Sequence, residues 1–153
     1  MKRHKVLEPF SRDHFGGLLV ARHLVKDRDD KALLSCLKLW DEEMKDHFEE
    51  EERLLAPLAT PAMATRLRHD HEEIRQMILA ARIGQCEPAD ILNLGQKLHD
   101  HIRWEERHLF PVIQESDSIE SIGPDADAME NRRHQSSVTP HRAEQVARRA
   151  NRN

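Results

Sequence analysis

The pattern H-x-x-x-E-E-R-x-L-x-P occurs twice in register, beginning at His47 and again at His101, and ending at Pro57 and Pro111. Upstream of each copy stands an Asp-His pair, Asp13-His14 and Asp70-His71, and the separations from that histidine to the repeat, 33 and 30 residues, are nearly equal. Self-similarity of this kind points to two like units packed on one another. The i, i+4 spacing puts His47 and Glu51, and likewise His101 and Glu105, on one helix face a turn apart. Both pairs interrupt apolar stripes: Met44, His47, Glu51, Leu55 in one copy and Leu98, His101, Glu105, Leu109 in the other. A carboxylate aimed at a core is costly unless it is paired or bound to a cation. Two such carboxylates facing each other repel, and a metal pair between them removes the repulsion.

Helical periodicity and its punctuation divide the chain into four segments. The first runs from about Ser11 to Lys26, with Pro9 or Ser11 at its start and Phe10, Leu18, Ala21 and Val25 as its stripe. The second runs from about Lys31 to Ala56, preceded by the acidic run 27–30 and closed by Pro57. The third runs from about Pro61 to Ile83, with Thr60 as N-cap and Gly84 as C-cap. The fourth runs from about Pro88 to Gln114, and Pro111 should bend or end it. Short joining segments make neighbouring helices antiparallel. The fold expected is an all-α, up-down-up-down four-helix bundle over residues 1–115, followed by a polar tail, residues 116–153. That tail is expected to be mostly disordered or to carry a short docked helix, for which Pro140 to Ala150 is the candidate.

Counting from each interhelical turn at about 1.5 Å per residue, His14, His47, His71 and His101 fall near one cross-section of such a bundle. Scattered surface histidines have no reason to share a level. Imidazole plus carboxylate without thiolate suits iron, manganese or zinc. Two glutamates able to bridge, with coordination positions left over, fit a dinuclear site best.

Bulk properties exclude competing classes. The net charge of −4 offers no basic field for nucleic acid. No run approaches the apolar length of a membrane helix, and the N-terminus has no signal-peptide core, so a cytoplasmic protein is expected. Tyrosine is absent, which rules out a tyrosyl radical on this chain. Cys36 and Cys86 stand alone and read as free thiols. Histidine is the abundant residue, 11 in 153, and the histidines are interspersed rather than clustered as a tag.

The neighbouring polar residues are more ordinary. Glu50, Glu52 and Glu106 rotate off the ligand stripe, where they meet solvent or support the ligands. Arg53 and Arg107 are expected to pair with such carboxylates. His69 and His99 point away from the site. His108, seven residues after His101, returns to the same face and is carried with Glu106 and Glu52 as an extra or supporting ligand, although its repeat counterpart is Leu54. Phe15 is expected to pack, and Gly16-Gly17 to allow a close helix approach.

At this point the chain resembles the hemerythrin-like, or HHE cation-binding, family. The resemblance rests on Ser11-Arg12-Asp13-His14, His47-Phe48-x-x-Glu51-Glu52, Asp70-His71-Glu72 and His101-x-x-x-Glu105-Glu106-Arg107-x-Leu109-Phe110-Pro111, and it spans about residues 5 to 114. It implies a non-haem di-iron centre with His14, His47, His71 and His101 as terminal ligands and Glu51 and Glu105 as bridges. It also tips the metal to two irons, with manganese or zinc as substitutes. Members of the family bind dioxygen, sense oxygen, redox state or iron, or act in iron and nitrosative-stress handling. Two departures separate this chain from the oxygen carriers. Leu67 stands where they have a further histidine, and Glu106 where they have aspartate. The function expected is therefore binding of dioxygen or another small diatomic ligand, or sensing of redox or iron status, ahead of catalysis. The alternatives are a di-iron oxidase, peroxidase or nitric-oxide-handling protein, and a helical scaffold with a structural metal. No protein partner is identified.

Overall fold

A computed structural model describes residues 2–136. The protein is all-α, with no strand among the described residues. Helix α1 is Glu8–Asp27, entered through a 3-10 turn at Lys5–Leu7. Helix α2 covers residues 30–58, α3 is Pro61–Arg82, α4 covers residues 88–114, and α5 is Gly123–Ser136. Among the described residues no helix is long and apolar enough to cross a membrane.

Local chemistry sets the boundaries. Arg28 takes the left-handed conformation after α1, and the Asp29 carboxylate accepts the Ala32 N–H to start α2. The Thr60 hydroxyl accepts the Met63 N–H at the start of α3, and Gly84, at φ 79°, follows its end. The Asp90 carboxylate accepts the Glu87 N–H at the start of α4.

Helices α2 and α4 are not uniform. Each opens into a π-helical turn over the E-E-R-x-L part of the repeat, Glu51–Leu55 and Glu105–Leu109. The Ala56 N–H bonds the Glu51 carbonyl and the Phe110 N–H bonds the Glu105 carbonyl, spacings of five residues. In both copies the next residue is the repeat's proline. A proline ring clashes with the carbonyl four residues back, and a widened turn relieves that clash without ending the helix. Thus α4 continues through Pro111 to Gln114, and α2 ends three residues past its π turn, at Leu58. A further π turn, Trp40–Met44, lies earlier in α2.

The core has two apolar clusters. One gathers Leu7, Phe10, Leu55, Leu67, Leu109 and Phe110, and the other Leu24, Phe48, Ile74, Leu94, Leu98 and Ile102. Along each of α1 to α4 the buried polar residues fall between the two. They are His14, His47, Glu51, Asp70, His71, His101 and Glu105, the full set of buried polar side chains among the described residues. Packing along α1 and α4 is close. Arg3 reaches Gln114, His14 meets Glu105, and a side chain added at Gly17 or Gly95 would strike Ile102 or Leu24.

Residues 116–136 pack onto the first cluster. Ile119, Ile122, Ala126 and Met129 are buried there, on a stripe of helical spacing. A helix that was not expected, Gly123–Ser136, begins at Gly123-Pro124 and docks there. The helix considered at Pro140 to Ala150 lies outside the described residues. Phe15 differs from expectation: it is 76% exposed, because α1 turns residues 10, 14, 17, 21 and 24 inward and leaves 15 outside.

The two glycine sites give opposite expectations. A Cβ at Gly95 would sit 2.9 Å from the Ala21 carbonyl oxygen, a backbone atom that cannot step aside. Overpacking of about 1–3 kcal/mol outweighs the gain in helix propensity of about 1 kcal/mol, so Gly95→Ala should lower stability. At Gly16 the same Cβ makes ordinary contact with Leu39 at 3.7 Å, and Gly16→Ala should raise stability by roughly 0.5–1 kcal/mol. Urea denaturation of both variants checks the contrast.

Candidate metal centre

Helix α1 brings Asp13 and His14 to the central layer, α2 brings His47, Glu51 and Glu52, α3 brings Asp70 and His71, and α4 brings His101, Glu105 and Glu106. The six residues expected to form the site converge. Ligand atoms of His14, His47, Glu51 and Glu105 lie within 4.8 Å of one another, and so do those of Glu51, His71, His101 and Glu105. The two sets share the two glutamates. All six side chains are buried.

Contacts inside the layer are short. His14 Nε2 lies 2.8 Å from Glu105 Oε2 and 3.6 Å from Glu51 Oε2. His47 Nε2 is 3.1 Å from Glu51 Oε1, and His101 Nε2 is 2.5 Å from Glu105 Oε1. His71 Nε2 sits between the two glutamates, at 3.4 Å and 3.5 Å. Yet His47 Nε2, His71 Nε2, His101 Nε2 and both oxygens of Glu51 and of Glu105 complete no hydrogen bond within the protein. Leaving so many buried polar atoms unsatisfied is costly. A cation among them is a partner of the right kind: the donors are imidazole nitrogens and carboxylate oxygens in a closed apolar setting, which suits a divalent metal. The residues present therefore fit a two-metal group.

The outward nitrogen of each imidazole faces a carboxylate, and three of the four are hydrogen-bonded to it. Nδ1 of His14 bonds Glu106 at 2.7 Å, Nδ1 of His47 bonds Asp13 at 2.7 Å, and Nδ1 of His101 bonds Asp70 at 3.0 Å. Nδ1 of His71 faces Glu52 at 3.5 Å. Each carboxylate is in turn held by a cation: Arg3 on Glu106 at 2.7 Å, Arg75 on Glu52 at 2.5 Å, Lys97 on Asp70 at 2.9 Å, and Arg133 on Asp13. A carboxylate on the far nitrogen fixes tautomer and ring orientation and turns Nε2 toward the centre. Aromatic rings add a wall, with Phe48 stacked on His71 at 3.9 Å and Phe110 on His14 at 5.3 Å between ring centroids.

Glu52 and Glu106 thus act as supports of the ligands. Asp13 and Asp70, read only as markers of the histidines that follow them, serve His47 and His101 instead. That role has a sequence signal: an acidic residue adjoins each ligand in all four places. His108 is exposed. The π turn fits an extra residue into the turn after Glu105, so rotation per residue falls and a seven-residue step no longer returns to the ligand face. Glu50 pairs with Arg132 at 2.8 Å, and Arg53 lies 3.7 Å from Asp125, both outside the layer. Cys36 is buried, with its thiol pushed up to about 12 by burial, and takes no part.

The electrostatics of the bare layer follow from these distances. Burial opposes a charge on His47, but Glu51 and Asp13 outweigh it and push the imidazole up to about 9. Burial likewise opposes His71, and Glu105, Glu51 and Glu52 carry it to about 10. His14 and His101 are raised for the same reason. Burial works against both Glu51 and Glu105, and the charge of Glu105 also works against Glu51, but His47 and His14 hold Glu51, and His101 and His14 hold Glu105, below the usual carboxylate range. A histidine raised on folding stabilises in full below its ordinary value of 6.5 and loses that contribution as pH climbs through the raised value. Chelator-treated protein should therefore lose thermal stability progressively between about pH 6.5 and 10. Melting curves across that range check it, and a midpoint that rises with pH would contradict the charge pairing.

The sequence model of the hemerythrin HHE cation binding domain matches residues 12–113. That span holds all six converging residues and their four supporting carboxylates. No curated protein and no solved structure matches the chain. With two thirds of its length covered, the chain belongs to the hemerythrin HHE cation-binding domain family.

Proposed function

We propose that this protein holds two iron ions, with His14 and His47 on one, His71 and His101 on the other, and Glu51 and Glu105 bridging them. In this reading it binds dioxygen or a related small ligand, or reports redox or iron status, through that centre. The observation that carries it is the set of buried, inward-facing nitrogens and oxygens without a hydrogen-bond partner, split into two overlapping groups that share the glutamates. Charge counting supports it as well. Exchanging four imidazolium protons for two divalent cations leaves the total charge of the layer unchanged.

The scaffold belongs to the same reading. Contacts that run from Arg3 with Gln114 to Leu24 with Gly95 support opposed α1 and α4, and with them an up-down-up-down four-helix bundle over residues 1–115. Residues 116–136 pack against that bundle, with Arg53 near Asp125 and Arg133 on Asp13. A cavity of ≈ 10 Å³ adjoins His14, His47 and His101 and is walled by Met44, Phe48 and Ile102. That is room for about one water-sized molecule, and Asp13, Glu43 and Glu105 share the lining with the apolar side chains. When bound, the iron pair would supply the redox and small-ligand chemistry. The protein's own part is to fix the imidazoles and keep bulk water out.

Protein made in iron-replete medium should contain close to two irons per chain by elemental analysis. Its oxidised form should absorb in the near ultraviolet and visible where oxo-bridged ferric pairs do. Preparations that stay metal-free, or that take up one metal only, would contradict the proposal. Anaerobic addition of iron(II) to apoprotein near neutral pH should release about four protons per chain, since ligation requires neutral imidazole. Proton release measured in weakly buffered solution checks this count independently of any activity.

A further inference from the structure

The two halves of the layer are braced differently. For His71 and His101 the outermost cations come from within the repeat: Arg75 is four residues after His71 and Lys97 four residues before His101. The corresponding positions beside His14 and His47 are Leu18 and Glu43, which cannot do this. There the cations come from outside the repeated region and outside the matched domain. Arg3, ahead of α1, holds Glu106 at 2.7 Å, and Arg133, on α5, holds Asp13 and reaches Glu50 at 3.4 Å. Arg133 continues the inward stripe of Ile119, Ile122, Ala126 and Met129, so docking α5 on the apolar cluster delivers its guanidinium to the histidine layer. Its side chain is 27% exposed, against 24%, 28% and 25% for Arg3, Arg75 and Lys97. The four cations are thus equivalent in depth as well as in contact.

Resting on the two-metal reading above, we infer that Arg133 is a positioning residue for the His14–His47 metal, and that α5 is thereby a working part of the metal centre. Arg133 anchors Asp13, Asp13 orients His47, and His47 presents Nε2 to the ion. Without that guanidinium, Asp13 keeps Glu43 as a like-charged neighbour across α1 and α2, while Glu50 keeps Arg132. Asp13 is then free to turn away from His47. Undocking of residues 116–136 would loosen one metal and leave the other.

The test uses the full chain, iron(II) added anaerobically, and a coloured iron chelator as competitor. Supporting groups of metal ligands typically contribute 10- to 100-fold in affinity. Arg133→Gln should weaken one of the two irons by about tenfold and leave the second at its wild-type affinity. Lys97→Gln should weaken the other one, so that Arg133→Gln with Arg3→Gln still affects a single iron, whereas Arg133→Gln with Lys97→Gln affects both. Arg133→Lys should restore binding. So should Glu43→Lys added to Arg133→Gln, which places a cation where Lys97 stands in the other half. Two irons at wild-type affinity in Arg133→Gln would overturn the inference. Loss of both irons together with a lower melting point of the metal-free variant would overturn it too, by assigning Arg133 to general stability. Wild-type protein that binds no iron would instead overturn the two-metal reading itself.

Discussion

Everything in this molecule is arranged around two carboxylates, Glu51 and Glu105, both fully buried at the centre of the layer. Removing an ionised carboxylate from water costs several kcal/mol even after relaxation. The apolar clusters on either side offer no dipoles to offset that cost. The compensation is built outward in alternating shells of charge. Four imidazoles surround the two glutamates, four carboxylates surround the imidazoles, and four cations, each about a quarter exposed, surround those. Solvent is reached at the cations and, in part, at Glu52 and Glu106, whereas Asp13 and Asp70 stay covered. Each shell is costly without the next, which explains why nearly every charged residue near the layer has a designated neighbour.

The backbone carries the same logic. The repeat encodes a place where the helix widens as well as a pair of ligands. Glu51 and Glu105 each open a π turn, and the proline six residues on makes that turn favourable by penalising the tighter one. The widening separates the phases of the two ends of each helix. Upstream of the glutamate the helix faces one apolar cluster, and downstream Leu55 or Leu109 can face the other. Ligand position and helix geometry are therefore fixed by one stretch of sequence, and the repeat needs no further device to build two matching half-sites.

Much of this was legible from residue spacing. The six converging residues share a level because four histidines stand at comparable distances from the turns, and a carboxylate in an apolar stripe demands a partner. The acidic run 27–30, Thr60 and Gly84 marked helix boundaries, whereas Pro111, expected to bend or end the fourth helix, lies inside α4. Three features were not legible, for distinct reasons. The place of His108 depended on a π turn, and a count at 3.6 residues per turn does not register one. The partners of Asp13 and Asp70 lie across the helix pair and are not the adjacent histidines; sequence adjacency suggested the wrong neighbour. The stripe from Ile119 to Met129 was diluted by the charged residues among which it sits, and burial of four modest side chains depends on a groove that only the assembled helices provide.

The break in the internal repeat at position 43 links the cavity to the C-terminal helix. A lysine there, placed as Lys97 is in the other half, would run toward Asp13 along the wall of the space that Asp13 and Glu43 now line. A long, solvated side chain in that position would narrow the small cavity beside His14 and His47 and draw water to it. Glutamate is shorter and leaves the space open, but it adds a negative charge to Asp13 and Glu50 and removes the cation that Asp13 requires. The positive charge must then approach from outside the helix pair, and α5 is the element in position to bring it. On this view the open space beside Glu43 and the docking of residues 116–136 are two consequences of a single departure from symmetry. The cavity reaches His14 and His47 as well as His101, and the first two are the histidines whose outer support comes from Arg3 and Arg133, outside the repeat.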